Sequence, residues 1–164
     1  MLIEVIPATP EQEPILANLL QLYIHDFSEF FDVELGPDGR FDYPDLPRYW
    51  REPERHAFLV YADRKLAGFV LVRKAPTAPG TEMVWDLAEF FVARAYRRQG
   101  VGLEAAHQVW SKLPGHWQVR VMESNAAAHH FWNHAIARFA GTPIPSVRIE
   151  HGGQYWHHFH FQSA

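Results

Sequence analysis

The chain contains no cysteine, which excludes disulfide bridges, thiolate nucleophiles and cysteine-ligated metal sites. It also has no apolar run long enough to span a membrane, and its N-terminus lacks the basic and apolar regions of a secretory signal. The net charge is −4 and no lysine-rich run offsets it, which disfavours non-specific nucleic-acid binding. These absences predict a soluble, cytoplasmic protein with neither nucleic acid nor a membrane as its partner.

The composition is that of a globular protein, with 48% hydrophobic and 21% charged residues in a chain of 164. This length suits a single domain over residues 1–164. Periodicity and turn residues predict an α/β fold in which a mixed sheet carries helices on both faces. The predicted strands are Leu2–Ile6, His56–Ala62, Leu66–Arg73, Glu82–Val92, Trp117–Met122, Val147–Glu150 and Gln154–Phe161. The predicted helices begin after Thr9, near Pro47, at the glycines before Leu103 and at Ser124 or Asn125.

A basic, glycine-containing segment follows the strand that ends Phe90-Phe91-Val92. Arg94, Arg97 and Arg98 supply positive charge, and Gly100 and Gly102 open the next helix. Free backbone N–H groups and the positive end of the helix dipole favour a phosphate at such a helix start. Glycines allow close approach because they carry no Cβ atom. The segment therefore predicts a pyrophosphate-binding loop.

The same glycines also fit the dinucleotide pattern G-x-G-x-x-G/A, from Gly100 to Ala105, and Glu123 follows roughly 20 residues later. In a dinucleotide-binding fold, however, the first glycine directly follows the strand. Here residues 93–99 intervene, and too little chain follows for the remaining units of a doubly wound domain. No Gly-Lys-Ser/Thr sequence follows either, so the phosphate loop of nucleotide triphosphatases is also absent.

Two motifs resemble those of the Gcn5-related N-acetyltransferase (GNAT) superfamily. The first is Arg97-x-x-Gly100-x-Gly102 after an apolar strand, and the second is Asn125-Ala126-Ala127-Ala128 at a helix start, followed by Trp132. The order of elements is also similar from Leu2 to Phe161. The resemblance implies a mostly antiparallel twisted sheet and transfer of an acetyl group from acetyl-coenzyme A to a primary amine. It implies no metal.

The resemblance also implies which residues bind acetyl-coenzyme A. The pyrophosphate would lie on the backbone N–H groups of the loop, and the pantetheine arm would pair with the edge of the preceding strand as an added strand. The donor-binding residues expected from the family are Phe90, Phe91, Val92, Arg97, Arg98, Gln99, Gly100, Val101, Gly102, Leu103, Asn125 and Trp132.

Acetyl transfer to an amine requires a group that takes the amine proton, because a free alkylamine has a pKa of about 10. Asp86 matches the position of a general base in histone-acetylating relatives, and Glu89 lies nearer the bend of the strand. Either carboxylate could instead be an ion-paired or solvated strand residue. Trp132 stands where many relatives carry a tyrosine general acid, so His129, on the same helical face, is the candidate substitute. A packing role for His129 is the alternative.

Aromatic and acidic residues at the end of the first helix suggest an acceptor site, since this region borders the acceptor in similar acetyltransferases. The candidates are Tyr23, Asp26, Phe27 and Phe30, which would suit a cationic amine unless they form a solvated loop. His158 and His160 share one strand face, but a third metal ligand is lacking in the pattern. The acceptor stays open, and so does a homodimer, which is common in the family. A module that binds acyl-coenzyme A without turnover is the alternative function.

Overall fold

The computed structural model describes residues 1–164. Its strands are β1 (Ile3–Pro7), β2 (His56–Ala62), β3 (Lys65–Pro76), β4 (Met83–Val92), β5 (Gly115–Met122), β6 (Val147–His151) and β7 (Gln154–Ser163). Its α-helices are α1 (Glu13–Phe27), α2 (Arg48–Arg51), α3 (Val101–Lys112) and α4 (Ala126–Ala140). Two 3₁₀ turns, Pro10–Gln12 and Arg94–Tyr96, precede α1 and α3. None of the helices is both long and apolar enough to cross a membrane.

All seven strands form one open sheet in the order β1-β2-β3-β4-β5-β7-β6. Every neighbouring pair is antiparallel except β4 with β5, which is parallel. The chain reaches β5 from β4 through α3, as a parallel crossover requires. The predicted mixed, mostly antiparallel sheet is therefore confirmed.

Helices cover both faces of the sheet, and each face has its own apolar cluster. On one face, α3 and α4 bury Trp110 and Ile136 against the strands, including Trp117 of β5. On the other face, Leu16 and Leu20 of α1 pack against Phe69 of β3. Residues four apart lie on one side of a helix, which explains why Leu16 and Leu20 are both fully buried. Burial of each such leucine contributes about 1.5–3 kcal/mol.

Local sequence signals set most helix ends. Gln12 reaches back and its Oε1 accepts a hydrogen bond from the Thr9 N–H at 2.9 Å, as predicted. Asn125 caps α4, since its Oδ1 accepts from the Ala128 N–H at 3.1 Å. Gly141 ends α4 with a left-handed φ of 76°. By contrast, the predicted connection at 75–80 is shorter, because β3 continues to Pro76.

The β3–β4 pairing contains a bulge in the middle of β4. Leu71 pairs with Glu89, whereas its neighbour Val72 pairs with Leu87, so Ala88 is the extra residue of β4. A bulge reverses which side chains face each side of the sheet. Accordingly, Leu87 and Phe90 both belong to the α3–α4 side although they are three residues apart.

The parallel pairing of β4 with β5 is very short. Only Trp85 and Asp86 of β4 pair with β5, opposite Trp117 and Gln118. Beyond Asp86 the two strands separate, so residues 87–92 of β4 have a free backbone edge on the β5 side. This gap opens at the end of β4 that leads into the basic loop.

Candidate active site

The loop between β4 and α3 presents a row of free backbone donors. The Tyr96 and Arg97 N–H groups close the 3₁₀ turn, and the Glu104 N–H donates to the Gly100 carbonyl as the first bond of α3. None of the N–H groups of residues 98–103 has a hydrogen-bond acceptor. Six consecutive free donors at a helix N-terminus are suited to binding an anion such as a phosphate.

The structure explains why Gly100 and Gly102 of the loop are glycines. Gly100 has a φ of 82°, a left-handed conformation that other residues adopt only with strain. Gly102 lies against α4, where an added Cβ would stand 3.1 Å from Cζ of Phe131. The absence of a side chain at both positions keeps the donor row accessible and lets α3 pack closely on α4.

Two arginines of the loop are held by α1 instead of being free. The Arg94 and Arg97 guanidinium groups donate to Oδ1 and Oδ2 of Asp26 at 2.7 and 2.8 Å. Arg97 also donates from Nε to the Val92 carbonyl at 2.7 Å. Partial burial acts to raise the pKa of Asp26, but these hydrogen bonds hold it below its usual value. Asp26 of α1 thus fixes two arginines of the loop, and its role at the acceptor site stays a prediction.

The other predicted donor-site residues lie on β4, beside the gap, and at the start and in the middle of α4. Phe90 projects toward α4, with its ring 4.8 Å from the ring of Trp132, edge to face. Phe91 points to the opposite side and is buried beneath α1. Asn125 uses its Oδ1 to cap α4, while its Nδ2 donates no hydrogen bond and stays available. The free strand edge, the donor row and the start of α4 thus surround one gap.

Glu89 lies beside the gap on the α1 side of the sheet. Its Oε1 accepts a hydrogen bond from the Tyr23 hydroxyl at 3.4 Å, and it has no ion-pair partner. Burial raises the pKa of Glu89 to about 7, although Tyr43, Tyr23, Arg120 and Arg73 act to lower it. A carboxylate with such a pKa exchanges protons at physiological pH, which suits a general base.

Asp86, the other predicted base, has a different environment. Its side chain is 0% exposed and both oxygens are bonded. Oδ1 accepts from Arg120 Nε at 3.0 Å, and Oδ2 accepts from Arg73 Nε and Arg120 at 2.9 Å each. The geometry therefore favours the ion-paired alternative for Asp86 and directs the prediction of a general base to Glu89.

His129 and Trp132 both pack instead of projecting into open space. His129 stacks on His157 of β7 with ring centroids 4.4 Å apart and lies 5.7 Å from the ring of Phe159. Burial, together with the charge of His157, lowers the pKa of His129. Trp132 is 8% exposed, between Phe90 and Trp110. The ring of His129 therefore packs on β7, whereas Trp132 packs on Phe90 of β4 and on Trp110 of α3.

The end of α1 supplies an aromatic wall near Glu89. Tyr23 stacks on Phe27 at 5.9 Å and meets the edges of Phe69 and Phe91. Burial, followed by the charge of Glu89, raises the pKa of Tyr23 well above its usual value, so its hydroxyl stays a donor. Phe30, also predicted at the acceptor site, is half-buried in the turn after α1.

Four residues of this site were missed by the sequence analysis: Tyr43, Tyr49, Arg73 and Arg120. Tyr43 and Tyr49 come from the segment between α1 and the end of α2, and burial raises the pKa of each hydroxyl. The Tyr49 hydroxyl is buried without a hydrogen-bond partner. Arg73 directly follows the apolar residues 69–72 of β3, and Arg120 lies between Val119 and Val121 of β5; that pattern was the available signal.

Comparison with known proteins identifies the class of protein. A family model described as the acetyltransferase (GNAT) family matches residues 16–135. The chain therefore belongs to the GNAT family of acetyltransferases, which confirms the resemblance read from Arg97-x-x-Gly100-x-Gly102. A search of curated proteins found no matching relative.

Solved structures share the fold over nearly the whole chain. An acetyltransferase from Thermus thermophilus has a TM-score of 0.71 at 18% identity, covering 99% of this chain and 97% of that chain. Arabidopsis thaliana NAA60, in complex with a bisubstrate analogue, has a TM-score of 0.63 at 16% identity, with 98% of both chains covered. A mutant of the spermidine N-acetyltransferase SpeG from Vibrio cholerae has a TM-score of 0.60 at 11% identity, covering 98% of this chain and 94% of that chain. At these identities the likeness shows the fold alone.

Proposed function

We propose that this protein transfers an acetyl group from acetyl-coenzyme A to a primary amine by direct attack, without an acyl-enzyme. The observation that carries the proposal is the row of unbonded N–H groups at residues 98–103, directly beside the free edge of β4. A diphosphate and a strand-like pantetheine arm need these two features side by side. Residues 1–164 would act as one domain, because the sheet draws strands from both ends of the chain.

The residues around the gap fit the donor. Gly100, Val101, Gly102 and Leu103, with Arg98 and Gln99 before them, would hold the pyrophosphate through their N–H groups. Residues 90–92 would pair with the pantetheine arm, and Asn125 would donate its free Nδ2 to the same arm. Acetyl-coenzyme A supplies an activated acetyl group whose thiolate leaves readily. A backbone N–H near Phe91 or Val92 would polarise the carbonyl, as an oxyanion-type contact.

Glu89 would act as the general base. As the amine nitrogen forms its bond to the acetyl carbon and the bond from that carbon to sulfur breaks, the amine proton moves to Glu89. Tyr23 orients the carboxylate through its hydrogen bond to Oε1. A thiol pKa near 8.5 allows the thiolate to leave without a protein acid. Trp132 and His129 are therefore assigned to packing.

The test is release of coenzyme A, followed with a thiol reagent while acetyl-coenzyme A is mixed with a panel of amines. The protein contributes no thiol signal, since it has no cysteine. Release above the acceptor-free background with one class of amine supports the proposal. Glu89→Gln should slow that release by about 10²-fold or more, and the matched control Glu82→Gln, at an exposed position just before β4, should not slow it.

One observation favours a second candidate function. Trp132 replaces the tyrosine acid of many relatives and is packed between aromatic rings. The alternative is therefore a module that binds acyl-coenzyme A for sensing. Tight donor binding by calorimetry without coenzyme A release from any amine would support this alternative and contradict the proposed transfer.

A further inference from the structure

Two arginines share one buried aspartate on the α1 side of the sheet. Arg73 of β3 and Arg120 of β5 lie on opposite sides of Asp86 in β4 and both donate to its carboxylate. Asp86 is completely buried, so its charge requires such partners. One carboxylate, however, balances only one of the two guanidinium charges.

The protonation state of Glu89 determines the net charge of the whole group. Its carboxylate lies close enough to Arg120 and Arg73 for both charges to lower its pKa. When Glu89 is ionised, two positive and two negative charges face each other. When Glu89 carries a proton, as it would after accepting one from the amine, the group has a net charge of +1.

Most guanidinium donors of the pair are unused. A guanidinium has five N–H donors. Arg73 donates to Asp86 through Nε alone, and Arg120 through Nε and one terminal nitrogen. The side chains are 32% and 31% exposed, and both lie on the face of the sheet that carries Glu89. Asp86 fixes the two groups in place while leaving donors available.

We propose that the acceptor carries an anionic group, a carboxylate or a phosphate, close to its amine, and that the free N–H donors of Arg73 and Arg120 bind it. This inference rests on the proposed acetyl transfer. The arrangement suits a zwitterion, with the amine toward Glu89 and the anion toward the arginines. A polyamine would instead place further positive charge beside two guanidinium groups.

Matched acceptors test the inference without any mutation. Phenylalanine, its methyl ester and phenethylamine share a ring and a primary amine, but only phenylalanine carries a carboxylate. The other common amino acids are run with their esters, and O-phosphoethanolamine is run against ethanolamine to distinguish phosphate from carboxylate. The expected result is a kcat/KM at least tenfold higher for the anionic member of one series. Acetylation of esters, simple amines or spermidine at equal or higher kcat/KM overturns the inference and leaves the transferase intact. Acetylation of no amine overturns both.

Variants locate the effect. Arg120→Gln should lower the ratio of kcat/KM for the preferred anionic acceptor to kcat/KM for its neutral analogue at least tenfold, mainly through KM for the anionic acceptor. The ratio isolates anion binding, because any change at Glu89 or Asp86 affects both acceptors alike. If Arg120→Gln impairs folding, Arg120→Lys serves as the second variant. It keeps the charge beside Asp86 and should retain an intermediate preference for the anionic acceptor. Arg148→Gln is the control, because Arg148 pairs with Glu123 on the surface at 2.6 Å. An equal loss for anionic and neutral acceptors would show a structural role and refute the assignment.

Discussion

Replacing Glu89 with glutamine should reduce activity and increase stability at the same time. The side chain keeps nearly the same shape, but it can no longer take a proton. Because burial favours the uncharged form, the wild-type carboxyl has a pKa of about 7 in place of 4.5. Removing the base should lower kcat by about 10²-fold or more at pH 8, in the usual range for general-base catalysis.

The effect on stability follows from the same pKa shift. Between pH 4.5 and 7 the folded protein keeps a proton on Glu89, whereas the unfolded chain releases it. The unfolded state is therefore increasingly favoured as the pH rises, and the free energy of unfolding of the wild type falls until the pH reaches about 7. A shift of this size corresponds to about 3 kcal/mol. The free energy of unfolding of the Gln variant, relative to wild type, should therefore increase by about 3 kcal/mol between pH 4.5 and pH 8.

The assays compare the variant with wild type at each pH. Ionisation of the amine affects wild type and variant equally, so its effect cancels in the ratio of their kcat/KM values. This wild-type-to-variant ratio should rise about tenfold between pH 6 and 8, as expected for a base with a pKa near 7. Urea titrations at pH 5 and 8 give the free energies of unfolding, with Glu82→Gln as the control. A ratio that does not vary with pH, or equal stability of variant and wild type at pH 8, would refute the role and environment assigned to Glu89.

Three further substitutions test the donor side of the site. Gly102→Ala should raise KM for acetyl-coenzyme A about tenfold, because the added Cβ would press on α4 at 3.1 Å and stand beside the donor row; unchanged initial rates across donor concentrations would contradict this. Asp26→Asn should tighten coenzyme A binding about threefold at low salt by releasing its two arginines, and calorimetry that finds equal or weaker binding would show that Asp26 positions them instead. Trp132→Phe should change kcat less than threefold while lowering the free energy of unfolding by about 1–2 kcal/mol; a hundredfold fall in kcat would give the indole a chemical role.

The loop with its free N–H groups and the cap of α4 could be predicted because their signals are local in sequence. The strand end, the arginines, Gly100 and Gly102 lie within a few residues of each other, and the free N–H donors belong to the backbone of this same short segment. The cap at Asn125 is equally local, since its partner is the N–H three residues later. Local features of this kind can be predicted without knowing which strands pair.

The cluster of Asp86, Glu89, Arg73 and Arg120 could not be predicted in the same way. Regular alternation would place Asp86 and Glu89 on opposite sides of the sheet, and only the bulge at Ala88 brings both toward the arginines. Arg73 and Arg120 come from strands that both flank β4, so their approach to Asp86 depends on strand order and register. Asp26 illustrates the same limit of sequence-based prediction, because its partners Arg94 and Arg97 lie 68 and 71 residues further along the chain.

The short pairing between β4 and β5 has a mechanical consequence. Two residue pairs make up the strand pairing between the halves β1–β4 and β5–β7 of the sheet, which the chain otherwise joins through α3. The halves stay in position through the apolar cluster beneath α3 and α4, which draws residues from both, including Val70 and Phe159. Side-chain volume, and not hydrogen-bond geometry, therefore sets the width of the gap. A core substitution that never touches a ligand can widen or narrow this gap, so we expect the affinity for the proposed donor to depend on the packing of the interior.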